Sequence, residues 1–170
     1  MKDLYRDLRT ARAILRRFGE DDAEELLHIF RDPSVRQNLL DDELVSREWV
    51  LQEVESSDSR FVETGAGLWS ARILDSPEIV GFVGFREFFD PPQLQLLYGL
   101  MPEYWNRGLA TEIAQRVCDH AFHNLGFSRI EAAVDIPNER SAAVLQRLGM
   151  KLFRTTKDGP GGTAFYSVER

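Results

Sequence analysis

The segment 98–112 contains the residue types of an anion-binding loop. Asn106, Arg107 and Gly108 stand there between a strand-like run and the start of a long helix. The first turn of a helix carries N–H groups without helical partners and the positive end of the helix dipole, so it binds phosphate readily. Gly108 lets an anion approach the backbone without a Cβ in the way, and Arg107 adds a positive charge at the rim. We therefore expect residues 106–111 to bind a phosphate group.

A single glycine before a helix is a weak signal by itself. It is also typical of an ordinary strand-to-helix turn, which is the alternative interpretation of Gly108. The segment lacks the three glycines of a dinucleotide-binding fingerprint and the Lys-Ser/Thr pair of a P-loop, so both of those sites are excluded. Ala110 keeps the following turn small. The prediction of an anion site therefore needs support from a second segment.

Residues 135–141 are that second segment, and they follow another strand-like run. Ligands in α/β sheets collect beyond the carboxyl ends of the strands. Asn138 is placed to cap its own helix, and this structural role stays open beside a ligand-binding role. Ser141 lies three residues further on, so it falls on the same side of the helix and faces the same crevice.

Hydrophobic periodicity predicts the elements that position these two segments. Strands are predicted over residues 12–18, 68–74, 79–88, 94–101, 129–135, 151–156 and 163–168. Helices are predicted over residues 20–30, from a cap at Ser46 onward, over 108–124 and over 138–148. Pro33 is expected to end the first helix and Gly126 the third, with an irregular stretch over residues 34–44 and a final turn over 158–162.

The order of these elements predicts a mixed α/β (α+β) fold in one domain, residues 1–170. Turns at 75–77 and 90–92 separate three successive strands, which indicates an antiparallel meander. A long helix joins the strands 94–101 and 129–135, and such a crossover places two strands parallel. We expect a largely antiparallel central sheet with helices on both faces.

The composition excludes several classes of function. Hydrophobic residues make up 43% of the chain and charged residues 29%, which is typical of a globular domain rather than a disordered one. The net charge of −7 argues against general nucleic-acid binding. No stretch of 18 apolar residues is present, and the first 18 residues lack the apolar run of a signal peptide. We expect a cytoplasmic protein, a monomer or a homodimer, that binds neither nucleic acid nor membrane.

Cysteine and histidine give no sign of redox or metal chemistry. Cys118 is the only cysteine, which excludes an intramolecular disulfide, and its place on a helix face favours core packing over a nucleophilic role. His120 and His123 are three residues apart but lack further ligands nearby, and His28 is distant in sequence. We therefore expect no metal site.

Taken together, the two segments resemble the GNAT superfamily of N-acetyltransferases, and within it the RimJ/RimL-like branch. The motifs that carry the resemblance are Tyr98, Trp105, Gly-Leu-Ala-Thr-Glu at 108–112, Asn-Glu-Arg-Ser at 138–141 and Leu-Gly-Met at 148–150. Each motif alone is only moderately specific, whereas their order and spacing together are strongly so. The match extends over residues 12–168, which is nearly the whole chain.

The resemblance implies that the chain transfers an acetyl group from acetyl-CoA to a primary amine, on a small molecule or a protein N-terminus. The strands 94–101 and 129–135 would form a splayed parallel pair with the pantetheine arm between them. The amine would attack the thioester directly, without an acyl-enzyme. The backbone N–H near Leu100 would polarise the acetyl carbonyl.

The same resemblance implies roles for individual residues, and no metal. Ser141, near the cofactor's sulfur, and Tyr98 would be catalytic. The residues expected to bind the cofactor are Leu100, Met101, Asn106, Arg107, Gly108, Leu109, Ala110, Thr111, Asn138, Ser141 and Arg147.

The chain departs from the family pattern at two places. Trp105 stands where the phosphate motif usually has Gln or Arg, which is tolerable because backbone amides bind the anion. Gln93 and Gln95 stand where related chains often have Glu, so the general base is unassigned, with water or the more distant Glu87 or Asp90 as candidates. An acceptor with a low-pKa amine is then favoured. The missing Glu also leaves an alternative function, an acyl-CoA-binding sensor or interaction module with little catalytic activity.

The acceptor side is less defined in the sequence. The acidic run 41–43 falls between the first two helices, where acceptors enter in the family. It is either a solvated loop or a site for the acceptor's ammonium group. Trp49, Phe85 and Phe88 could line the same cleft, although core packing is the default interpretation.

Overall fold

Eight strands and five helices form the architecture of this protein, in a computed structural model that describes residues 7–159 and 161–170. The strands are β1 (Leu8–Arg9), β2 (Ala13–Arg17), β3 (Leu68–Ile73), β4 (Ile79–Phe88), β5 (Gln93–Leu100), β6 (Arg129–Asp135), β7 (Lys151–Thr156) and β8 (Thr163–Glu169). The helices are α1 (Ala23–Arg31), α2 (Pro33–Arg36), α3 (Arg47–Thr64), α4 (Leu109–Asn124) and α5 (Glu139–Arg147). Short 3-10 turns cover Glu20–Asp22, Leu40–Asp42 and Pro102–Tyr104.

The strands form two hydrogen-bonded sheets. The first has the order β1-β2-β3-β4-β5 and the second the order β6-β8-β7, and within the described residues adjacent strands of each sheet run antiparallel. β5 ends the first sheet and β6 lies against it as an edge of the second, with α4 as the connection between them. The predicted fold class, with its splayed strand pair, is confirmed.

Most of the predicted elements are confirmed within a residue or two, and the stretch 34–44 is the main correction. The first helix ends before Pro33, as predicted, since α1 stops at Arg31. Pro33 also begins α2, which was not predicted, because the Asp32 carboxylate accepts hydrogen bonds from the amides of Ser34 and Val35. The 3-10 turn Leu40–Asp42 follows it. The two-residue strand β1 was not predicted. Residues 1–6 of the N-terminal segment and Pro160 of the last turn lie outside the described residues.

Helices cover both faces of the first sheet. Successive residues of a strand point to opposite faces, and Leu68 and Trp69 accordingly belong to different apolar clusters. Leu68 packs with Phe82 and with residues of α1 and the first half of α3. Trp69 packs with Val83 and with residues of α4 and of the second sheet. The second of these clusters joins the two sheets into one core.

The buried hydroxyl of Ser57 fixes α3 against the sheet, and this gives a stability prediction. Ser57 Oγ accepts a hydrogen bond of 2.8 Å from Leu68 N, at the start of β3. Ser57→Ala should lower the free energy of unfolding by about 1–3 kcal/mol, because it leaves a buried N–H without a partner. Ser56 is exposed on the same helix, so Ser56→Ala should change it by less than about 0.5 kcal/mol. Urea denaturation measures both, and equal effects would contradict the prediction.

Candidate active site

A cavity of about 710 Å³ lies where β5, β6, the start of α4 and the start of α5 meet. Most of the residues predicted for the site line it: Tyr98, Leu100, Asn106, Gly108, Leu109, Ala110, Thr111, Asn138, Ser141 and Arg147. Met101 and Arg107 are absent from the described lining. The gap between the two sheets is therefore continuous with the predicted anion-binding loop.

The loop before α4 has the backbone conformation that an anion site requires. Gly108 caps the helix with φ of 73°, and Asn106 also has a positive φ of 58°. No side chain of the described residues caps α4, and the amide of Glu112 donates to Gly108 O at 3.0 Å. The amides just before it precede the hydrogen-bond ladder of the helix. Thr111 Oγ1 is also buried without a partner among the described residues.

Arg12 holds this loop in place from the other end of the chain. Its Nη1 donates to Arg107 O at 2.8 Å, and its Nε donates to Glu112 Oε2 at 2.7 Å. Burial disfavours the charged form of Glu112, but hydrogen bonds from Thr10 and Arg12 outweigh it, so the pKa of this carboxyl is lowered. The loop is thus anchored through the carbonyl of Arg107, whose own side chain is exposed. Sequence reasoning missed Arg12, because no local pattern announces a contact across 95 residues.

Trp105 closes the end of β5. Its Nε1 donates to Leu100 O at 2.7 Å, and the guanidinium of Arg140 lies 4.0 Å from the centre of its ring. The amide of Met101 donates to Val80 O at 2.9 Å, on the β4 side. Because successive amides of a strand point to opposite edges, the amide of Leu100 faces β6. Met101 was expected at the site, but its amide donates to β4, whereas the amide of Leu100 points toward β6.

Tyr98, Asn138 and Ser141 form one hydrogen-bonded group. Asn138 caps α5, since its Oδ1 accepts from Ser141 N at 3.2 Å, and its Nδ2 donates to Ser141 Oγ at 3.0 Å. The Tyr98 hydroxyl donates to Ser141 O at 3.0 Å, and burial raises the pKa of Tyr98 well above its ordinary value. Because Ser141 Oγ accepts from Asn138, its own proton is directed elsewhere. Ser141 is therefore oriented as a donor in the cavity wall.

Carboxylates line the other end of the cavity. Asp41, Asp135 and Glu139 belong to the lining, whereas the predicted candidates Glu87 and Asp90 do not. Burial raises the pKa of Asp135, and the charge of Asp41 raises it further. The acidic run predicted for an acceptor thus contributes Asp41 to the cavity.

The remaining candidates separate into core and cavity. Phe88 lines the cavity, whereas Trp49 packs with its ring centre 5.3 Å from that of Phe30, and Phe85 is buried in the core. Cys118 is also buried, and burial raises its pKa to about 12, so a thiolate is strongly disfavoured. Core packing, the default interpretation, is correct for these three.

Over residues 7–159 and 161–170, no group of three or more His, Cys, Asp or Glu side chains is placed to hold a metal ion. Within the same ranges, every helix is too short or too polar to span a bilayer.

A family model, related sequences and solved structures all indicate the same family for this chain. The model of the acetyltransferase (GNAT) domain matches residues 12–151. The uncharacterized N-acetyltransferase YoaA of Bacillus subtilis is 28% identical over 145 residues, covering 85% of this chain and 82% of YoaA. An acetyltransferase structure from Agrobacterium tumefaciens has a TM-score of 0.83 at 21% identity, covering 97% and 95% of the two chains. RimL, a ribosomal L7/L12 α-N-protein acetyltransferase solved with coenzyme A, has a TM-score of 0.81 at 15% identity, covering 96% and 98%.

Gly108 gives a binding prediction for this site. Gly108→Val places a branched side chain where the anion should lie, so coenzyme A affinity should fall at least about 100-fold. The substitution also strains a residue with φ of 73°, which costs about 1–3 kcal/mol. Gly126→Val is the matched control, because Gly126 has φ of 76°, open space around a Cβ and no place in the cavity lining. Calorimetric titration of both variants measures the effect.

The comparison between these two variants isolates the anion site from backbone strain. Both should lose stability to a similar degree, and only Gly108→Val should lose affinity. If a folded Gly108→Val protein binds coenzyme A with the affinity of the parent, the assignment of the pyrophosphate site to this loop is wrong.

Proposed function

Because the chain belongs to the acetyltransferase (GNAT) domain family, we propose that it transfers the acetyl group of acetyl-CoA to a primary amine. That it is an acetyltransferase follows from the family; the donor, the amine and the mechanism are the proposal. The observation that carries it is the continuous cavity from the uncapped start of α4, past Gly108, to the oriented hydroxyl of Ser141. The alternative of a sensor or interaction module is not favoured.

The residues of the cavity fit coenzyme A. The amides at Gly108 and Leu109 and the unpartnered Thr111 hydroxyl provide donors for a pyrophosphate. Asn138 keeps one amide hydrogen for the pantetheine arm, and the exposed Arg147 lies at the rim for a phosphate. The coenzyme A in the RimL structure supports this assignment. When bound, acetyl-CoA supplies an activated carbonyl carbon and a thiol leaving group.

Three groups of the chain act in the proposed transfer. The Leu100 amide, facing β6, donates to the acetyl oxygen as negative charge develops on it. An N–C bond forms as the C–S bond breaks; the nitrogen loses one proton and the sulfur gains one. Ser141 Oγ donates the hydrogen bond that helps the thiol leave. Tyr98 acts through Ser141, because its hydroxyl is held by the backbone of that residue.

The acceptor class follows from proton chemistry. Only the neutral amine attacks, and an α-amine with a pKa of about 7.7–8.0 is roughly a tenth neutral at pH 7. A lysine amine with a pKa of about 10.4 is neutral only about once in 2,500 molecules. With Gln95 in place of a carboxylate, an α-amine is the favoured acceptor, and the name of RimL supports that choice. A cytoplasmic location and a monomeric or homodimeric state remain parts of the proposal.

Thiol release from acetyl-CoA tests the function, and Ser141→Ala tests its mechanism. Across a panel of peptide α-amines and small amines, the parent should release thiol only when an acceptor is present.

Ser141→Ala should lower kcat by about 30- to 150-fold, equivalent to about 2–3 kcal/mol, with little change in acetyl-CoA affinity. An unchanged kcat with weaker binding would make Ser141 a binding residue. Thiol release that does not depend on the amine would contradict the proposed transfer.

The pH dependence of kcat/KM should follow the acceptor. The rate should rise with pH and level off near the pKa of each amine, so acceptors of different pKa should shift the plateau.

Asp135→Asn should raise KM for the acceptor, because a carboxylate in the lining attracts the ammonium form. Because the pKa of Asp135 is raised, its carboxylate is protonated at a higher pH than that of an ordinary Asp when the pH is lowered. The attraction for the ammonium group is lost at that point. A plateau that Asp135→Asn moves would instead make Asp135 the general base.

A further inference from the structure

Gln95 carries a buried amide without hydrogen-bond partners in the part of the chain that the structure describes. Its side chain is 1% exposed, and neither Oε1 nor Nε2 has a hydrogen bond among the described residues. Gln95 also belongs to the lining of the cavity. Leaving such a group unsatisfied costs about 1–3 kcal/mol. A buried primary amide that opens onto a cavity, and that has no hydrogen bond to residues 7–159 or 161–170, is therefore a candidate ligand contact.

The neighbouring charged residue is already occupied. Gln95 pairs directly with Arg86 across β4 and β5, so the two side chains leave the sheet on the same face. Arg86 binds Glu53 through two hydrogen bonds of 2.9 Å, from Nε to Oε2 and from Nη2 to Oε1. Its guanidinium is held by this pair, which leaves the amide of Gln95 to a molecule that enters the cavity.

Gln95 faces the α1 side of the first sheet, which we call the acceptor half of the cavity; the α4 side is the coenzyme half. Tyr98 and Leu100 pack in the cluster with α4, whereas Leu97, on the same face as Gln95, packs in the cluster with α1 and with Phe82. Asn38 belongs to the same cavity lining, on the segment between α2 and α3. This side of the cavity contains apolar Leu97 and Phe82 and polar Asn38, and the amide of Gln95 is a further polar group there.

We propose that Gln95 binds a peptide-type amide group of the acceptor, next to the amine that is acetylated. A primary amide offers N–H donors and a carbonyl acceptor on one edge. A trans peptide group points its N–H and its carbonyl in opposite directions, so it is the N–H that donates to Gln95 Oε1. A carboxylate offers only acceptors, and an ester lacks the N–H. This inference rests on the proposed function and narrows its acceptor to α-amines that carry an amide, such as peptide N-termini.

Two isosteric acceptors test the inference. Alanine N-methylamide and alanine methyl ester differ at the N–H that Gln95 Oε1 would accept. With rates corrected for the neutral fraction of each amine, the parent should prefer the amide in kcat/KM by at least about tenfold, the value of one hydrogen bond. Gln95→Leu should reduce this preference to near unity. Gln93→Leu is the matched control, because Gln93 lies on the same face of the same strand outside the cavity lining, and it should keep the preference.

Stability separates ligand binding from a structural role. Gln95→Leu should leave the midpoint of thermal unfolding unchanged or higher, because it removes buried polar atoms that lack partners. A lower midpoint together with an unchanged amide preference would overturn the inference and make Gln95 a structural residue.

Binding separates a failure of this inference from a failure of the proposed function. In the presence of coenzyme A, alanine N-methylamide should raise the unfolding midpoint of the parent and of Gln93→Leu but not of Gln95→Leu. If no amine supports thiol release, the proposed function fails while this shift still decides the role of Gln95. If amines are acetylated and Gln95→Leu keeps both the preference and the shift, only the inference fails.

Discussion

Backbone hydrogen bonding is left open at two adjacent places, and the rest of the site depends on this. A buried amide without a partner is expensive, yet the edge of β5 faces β6 across a break between two sheets, and α4 begins without a side-chain cap. Both openings meet in one cavity. These amides are thereby left without helix or sheet partners among the described residues, which suits the proposed ligand with a carbonyl at one end and phosphates at the other.

Side-chain contacts hold these openings in shape. Trp105 ties its loop to Leu100 O, Arg12 ties the same loop to Arg107 O, and Tyr98 ties α5 to β5 through Ser141 O. In each case a side chain satisfies a backbone carbonyl rather than an amide. The carbonyls around the cavity are therefore occupied while amides remain, which favours an anionic or carbonyl-bearing ligand over a cation.

Much of this was predictable from sequence because it depends on local pattern. The strands β3 to β6, the cap at Ser46 and the loop at Gly108 follow from alternation, capping and spacing. What was missed depends on contacts between distant segments. Glu87 and Asp90 were considered as bases because they are close to β5 in sequence, although neither lines the cavity, and only the assembled cavity shows Asp41 and Asp135 there together.

The two halves of the cavity differ in which atoms face a ligand, main-chain amides in one and side chains in the other. Substitutions should therefore affect the two halves differently. Under the proposed function, the coenzyme half would rely on main-chain amides and Gly108, which tolerate substitution of neighbouring side chains such as Trp105. The acceptor half would rely on side chains, chiefly Gln95 and Asp41, each of which one mutation can replace. Gln95 instead of a carboxylate would remove a base but add a neutral group that both donates and accepts hydrogen bonds. A transferase built this way would give up help with deprotonation and gain selectivity for an acceptor whose amine is already weakly basic, and an amide next to the amine would provide both the low pKa and an N–H for Gln95 Oε1.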